Sequence, residues 1–220
     1  MKKSKPILKP LDSIVGIIGD SKITNYLTSI FNTIGFEIDH KGLSYFAYKG
    51  LFKGKELKIH VSLLKQRQYK GHHPDHLVRY QIFKGIRMIV EMPSNNTSRF
   101  IVSKKTKGFL LKAITKVVMK YKGYKKIESS SIPSIYPEVW SPHEKFATTF
   151  LKNKEIEKLI LELNQKKTKT ISWGMIIEPN NFSFNSTFEN LDEFEVDKLN
   201  SRLEYIVRVA QISDSISTSN

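Results

Sequence analysis

The chain of 220 residues contains no cysteine, which excludes disulfides, thiol chemistry and cysteine-based zinc or iron-sulfur sites. No stretch approaches the roughly 18–20 consecutive apolar residues that cross a bilayer as a helix. The basic start Met1-Lys2-Lys3-Ser4-Lys5-Pro6 is followed by an apolar run broken by Lys9, Pro10, Asp12 and Ser13, a poor pattern for a signal peptide. A soluble, cytoplasmic protein with no transmembrane segment is expected. Glycine-rich phosphate loops of either common type are also missing, because Gly16-Ile17-Ile18-Gly19 has neither the lysine nor the following glycine spacing. No cofactor is expected.

Acid is scarce in the first part. Residues 1–127 hold 26 Lys/Arg against 7 Asp/Glu, a net of +19, while residues 128–220 hold 10 against 14, a net of −4, within an overall +15. A strongly basic body with a mildly acidic remainder points to a polyanion as partner for the first part. Hydrophobic residues make up 40% of the chain and aromatics 11%, which is globular rather than disordered composition.

The charge peaks between Lys104 and Lys126, a stretch with nine lysines and no acid. A helix over Phe109–Tyr121 sets Lys112, Lys116 and Lys120 at i, i+4 and i+8, with Phe109, Leu110, Ala113, Ile114, Val117, Val118 and Tyr121 on the opposite, buried side. Like charges at i, i+4 cost a few tenths of a kcal/mol per pair unless an anion lies against them. The ridge therefore reads as a docking surface for phosphate or carboxylate. An ordinary solvated lysine face is the competing reading.

Elsewhere, helical spacing of Ile23, Tyr26, Leu27, Ile30, Phe31 and Ile34 predicts a helix from Lys22 to about Ile34, stopped by Gly35. From Phe36 to Met92 the period becomes two. Leu57, Ile59, Val61 and Leu63 mark a half-buried strand paired with Leu43–Lys49, and a second hairpin is expected from Leu77–Phe83 and Ile86–Met92, turning at Lys84-Gly85. Arg99–Ser103 is a candidate fifth strand. Outward Lys58, His60, Arg79, Gln81 and Arg87 make the sheet's open face basic.

Pro133, Pro137 and Pro142 with Ser129-Ser130-Ser131 mark a boundary. Beyond it, a helix over Lys154–Gln165, strands at Ile171–Glu178 and Phe182–Phe188, and a helix over about Leu191–Ile212 are expected. The fold class is α+β: an antiparallel four- to five-stranded sheet packed by helices, followed by a smaller helix-hairpin-helix unit. The divisions are a basic body over 1–128, a Pro/Ser connector over 129–142, an acidic docked unit over 143–212 and a disordered tail over 213–220.

For chemistry, His72, His73, Asp75 and His76, with His60 on a nearby strand, supply metal-ligand types. Their spacing matches no helical ligand pair, and Pro74 opposes one. A metal-dependent hydrolase or nuclease built on this loop is the second alternative. Glu37 with Asp39, and the group Glu189, Asp192, Glu193, Glu195 and Asp197, are acids without a converging nucleophile, and the second group suits a helix start. No catalytic residue is assigned.

The leading expectation is non-catalytic, weakly sequence-selective binding of DNA or RNA through Lys104, Lys105, Lys107, Lys112, Lys116 and Lys120. Lys65, Arg67, Lys70, Arg79 and Arg87 give support, and Tyr69, Tyr80 and Tyr124 are candidates for stacking on bases. The alternative is an interaction or scaffold role on an acidic protein partner or an anionic membrane.

Overall fold

The computed structural model describes residues 17–42, 44–70, 78–103, 109–127, 138–164, 170–189 and 191–218. Alternation of apolar and polar residues builds most of it. The strands are β1 (Phe36–Lys41), β2 (Tyr45–Phe52), β3 (Lys55–Lys70), β4 (Val78–Pro93), β5 (Phe100–Ser103), β6 (Lys125–Lys126), β7 (Glu138–Ser141), β8 (Thr170–Glu178) and β9 (Asn181–Phe188). They form one sheet in the order β1-β2-β3-β4-β9-β8-β5-β7-β6. Every described pairing is antiparallel.

The expected α+β class with an antiparallel sheet is present, but the count is corrected from four or five strands to nine among the described residues. The later strands β8 and β9 are its central members, lying between β4 and β5. Part of the expected connector, Glu138–Ser141, is strand β7; residues 128–137 lie outside the described ones.

The expected second hairpin at Lys84-Gly85 is a single long strand instead. Gly85 adopts φ +146 and the β3–β4 register shifts at Leu64/Lys65, with Leu64 opposite Gly85 and Lys65 opposite Phe83. A glycine inside a strand pattern serves a bulge as readily as a turn. The tighter turn is at Lys53-Gly54, where positive φ at both residues makes a two-residue type I′ link between Phe52 and Lys55.

The helices are α1 (Ile17–Thr33), α2 (Phe109–Tyr121), α3 (Glu144–Leu151), α4 (Lys154–Asn164) and α5 (Val196–Thr218). A short 3-10 turn over Leu191–Phe194 precedes α5. One sheet face carries Tyr48, Leu57, Ile59, Val61, Met88, Val90, Phe100, Met175, Phe184 and Phe188, all buried. Against it, Phe31 of α1 stacks on Tyr48 at 4.1 Å, Phe146 and Phe150 of α3 meet Phe100, and Phe194 meets Phe188 edge-on. Each such side chain removed from water contributes about 1.5–3 kcal/mol. The helix α3 has no counterpart in the periodicity reading.

The last helix runs to Thr218, beyond the Ile212 expected, because its end is held. Ser213 is fully buried, and Asn96 donates through Nδ2 to the Ser213 carbonyl at 3.0 Å and to its hydroxyl at 2.7 Å. The Asn95 backbone N–H donates to Asp214 at 3.0 Å. Polar composition alone does not reveal such tertiary partners.

Candidate nucleic-acid interface

The helix α2 joins β5 to β6. Both of these strands are antiparallel to β7, so they run parallel to each other and α2 returns the chain along the length of the sheet. The order of the strands also makes β5 run in the same direction as β3. β5 therefore ends, at Ser103, at the sheet end beyond which the paired β3 and β4 strands extend. The lysine ridge runs away from that end.

Within α2, the expected burial of Val117, Val118 and Tyr121 is corrected. Val117 is 68% exposed, Val118 44% and Tyr121 92%, whereas Thr115 and Met119 are half-buried. At about 100° per residue, Thr115 and Met119 share the inward side. Lys116, Lys120, Val117, Tyr121 and Val118 then sweep the outward arc in that angular order. The cations and the apolar groups thus lie side by side and not on opposite faces.

The helix ends in a Schellman turn. Tyr124 N–H donates to the Met119 carbonyl at 2.9 Å and Gly123 N–H to that of Lys120 at 3.0 Å, with Gly123 at φ +80. In this turn the residue after the left-handed glycine packs back on the helix. Tyr124 is accordingly 6% exposed, and burial, with Glu178 nearby, pushes its phenol pKa upward. That corrects its candidacy for stacking on a base.

Lys116, Lys120, Lys122, Lys125 and Lys126 are all exposed. Among the described residues none of these five is ion-paired with a carboxylate. Elsewhere cations find acids. Asp39 holds Lys49 and Lys58 at 3.5 Å each, Lys53 pairs with Glu204, and Lys55 approaches Asp214 at 3.9 Å. Lys112 lies in α2; Lys104, Lys105 and Lys107 lie outside the described residues.

The supporting cations divide. Lys65, Arg67 and Lys70 are on β3 and Arg79 is on β4. Beyond Leu64 and Gly85 these strands pair only with each other among the described pairings, with β2 reaching Ser62 and β9 beginning at Ile86. Six residue pairs at about 3.3 Å per residue make a two-stranded ribbon roughly 20 Å long, and its residues 65–70 and 78–83 include no acid. Its register sets Tyr69 opposite Arg79 and Tyr80 opposite Gln68. Arg87 is exposed on the sheet face opposite α1 and α3, where the register sets it beside Ser62 and Thr187.

That same face holds an arrangement the sequence reading missed. The register sets Tyr45 and Glu91 diagonally on either side of His60. The Tyr45 hydroxyl bonds His60 Nδ1, and His60 Nε2 lies 3.1 Å from Glu91 Oε2. This chain of contacts links the strands β2, β3 and β4 through one imidazole. It also occupies both imidazole nitrogens, which removes His60 as a ready metal ligand. The signal for it was available only once the strand register was known. His72, His73, Asp75 and His76 lie outside the described residues, and among the described residues no group of three or more His, Asp or Glu is placed to hold a metal ion.

Within the second expected acid group, Glu193 has a structural partner. Glu193 is buried with Arg202 at 2.8 Å, and the Arg202 guanidinium lies 4.2 Å over the Phe188 ring. Burial lowers the Arg202 pKa, with Glu193 acting in the opposite sense. No described helix is long and apolar enough to cross a membrane. Comparison of the chain with models of protein families, with curated proteins and with solved structures finds no match.

Proposed function

We propose that this protein binds nucleic acid without catalysis and with weak sequence selectivity, its phosphates lying along α2 and the turn into β6. The observation that carries the reading is the set of five exposed lysines from Lys116 to Lys126 without a carboxylate partner among the described residues. Uncompensated ammonium groups repel one another, and phosphates relieve that repulsion while releasing counterions. The stretch from Lys104 to Lys126 has no arginine. Lysine meets phosphate as a point charge, whereas base reading in the major groove favours bidentate arginine, so selectivity is weak.

The β3–β4 ribbon gives second support. Its strands carry Lys65, Arg67, Lys70 and Arg79, further cations for phosphate. Binding of single strand, duplex, RNA and anionic liposomes, each titrated with salt, tests the proposal. Affinity for nucleic acid falls linearly on log-log axes with salt, with a slope of about −0.7 to −0.9 per phosphate contact. Reversing Lys112, Lys116 and Lys120 to Glu removes binding and leaves Tm nearly unchanged. A triple variant that binds as the parent does excludes α2 as the site.

A further inference from the structure

We propose that Tyr121 is a stacking platform for an unpaired base, so that the nucleic acid held at this end of α2 is single-stranded. The proposal rests on the nucleic-acid reading above and adds the class of ligand. Tyr121 is 92% exposed and Val117, one helical turn earlier on the same side, is 68% exposed. Lys116 and Lys120 border them on one side, and Lys122, Lys125 and Lys126 follow in the chain, all exposed. An aromatic ring between cations is the pairing that single-strand sites use, because bases stack on the ring while ammonium groups follow the backbone. In a duplex the base faces are already stacked on one another, and an isolated ring gains nothing from them.

The helix end creates this platform. The Schellman turn at Gly123 carries the following residue, Tyr124, inward and leaves Tyr121 on the outward arc at the last position of α2. Exposing a large aromatic ring to water is unfavourable in the free protein, and a base covering the ring removes that exposure. An anionic membrane offers the same lysines a partner. Among the side chains described in α2, residues 115–121, the exposed apolar surface is two valines and one tyrosine, without the Trp, Phe and Leu that seat an interfacial helix.

The test is anisotropy of a labelled oligothymidine of about 20 nucleotides and of a duplex of equal length, with sedimentation on phosphatidylserine vesicles alongside, for the full chain, Tyr121→Ala and Tyr121→Phe. The expected result is that the parent prefers the single strand and that Tyr121→Ala weakens it about tenfold or more. Tyr121→Phe stays near the parent, and the salt slope is unchanged in all three because no phosphate contact is lost. A parent that binds nucleic acid while Tyr121→Ala binds the single strand equally well overturns the platform and spares the basic-surface reading. A preference for duplex overturns it as well. Absence of binding to either nucleic acid removes both proposals, and Tyr121-dependent binding confined to vesicles containing anionic phosphatidylserine reassigns the surface to lipid.

Discussion

Two regions of the molecule use cations in opposite ways. Around α5 they are matched: Arg202 with Glu193, Arg208 with Glu155, Lys53 with Glu204, and Lys55 with Asp214. Around the end of α2, Lys116, Lys120, Lys122, Lys125 and Lys126 face solvent with no ion pair among the described residues. Side chains of the same charge therefore close the fold in one place and stand ready for an outside anion in the other. Net charge along the chain does not separate these roles, since Lys53 and Lys55 belong to the same basic segment as Lys116. The nearest carboxylate in three dimensions separates them.

The largest expected effect lies in the matched region. Arg202→Ala removes the partner of the buried Glu193 and the cation over Phe188, and loses about 3–5 kcal/mol in urea unfolding. Pairing Arg202→Met with Glu193→Gln recovers much of that loss, because no buried charge is left alone. Equal losses in the single and double variants would mean that packing of the long side chain, not charge matching, closes this seam.

A smaller effect tests the matched region by pH. Glu155 accepts hydrogen bonds from Arg208, and this, against an opposing burial effect and with the Arg208 charge, holds its carboxyl below the usual carboxylate range. A carboxyl lowered on folding adds stability above its unfolded pKa, and that contribution disappears as pH falls through the folded value. Glu155→Gln should therefore melt slightly below the parent at neutral pH, and the gap should close only in melts taken below the usual carboxylate range. A gap that persists at acid pH would assign the effect to geometry instead of charge. Both groups are exposed, so the difference is close to the resolution of a melting experiment.

How much of this was readable in the sequence depends on whether the deciding contact is local. The turn at Gly35, the alternation from Leu57 to Leu63 and the extent of α2 follow from neighbours within a few residues, and the structure has them at φ +85, in β3 and over Phe109–Tyr121. Gly85 was ambiguous because a bulge and a turn ask the same backbone freedom of it. The strands β6 and β7, with two and four residues, are too short to show a period. The site divided in the same manner. The i, i+4 ridge of Lys116 and Lys120 is local, but the exposure of Val117 and Tyr121 depends on which side of α2 meets the rest of the fold. The contact between Tyr45, His60 and Glu91 needs the register of three strands.

The most direct measurement is a matched pair of charge reversals. Lys116→Glu with Lys120→Glu at α2 is compared with Lys53→Glu with Lys55→Glu at the α5 seam, each read for oligonucleotide affinity and for Tm. The α2 pair should lower affinity at least about tenfold and flatten the salt slope by about 1.4 to 1.8, with Tm held. The seam pair should lower Tm and leave the salt slope as it was. Equal losses of affinity from the two pairs would show that net charge alone drives association, and would contradict the assignment of binding to the unpaired lysines of α2.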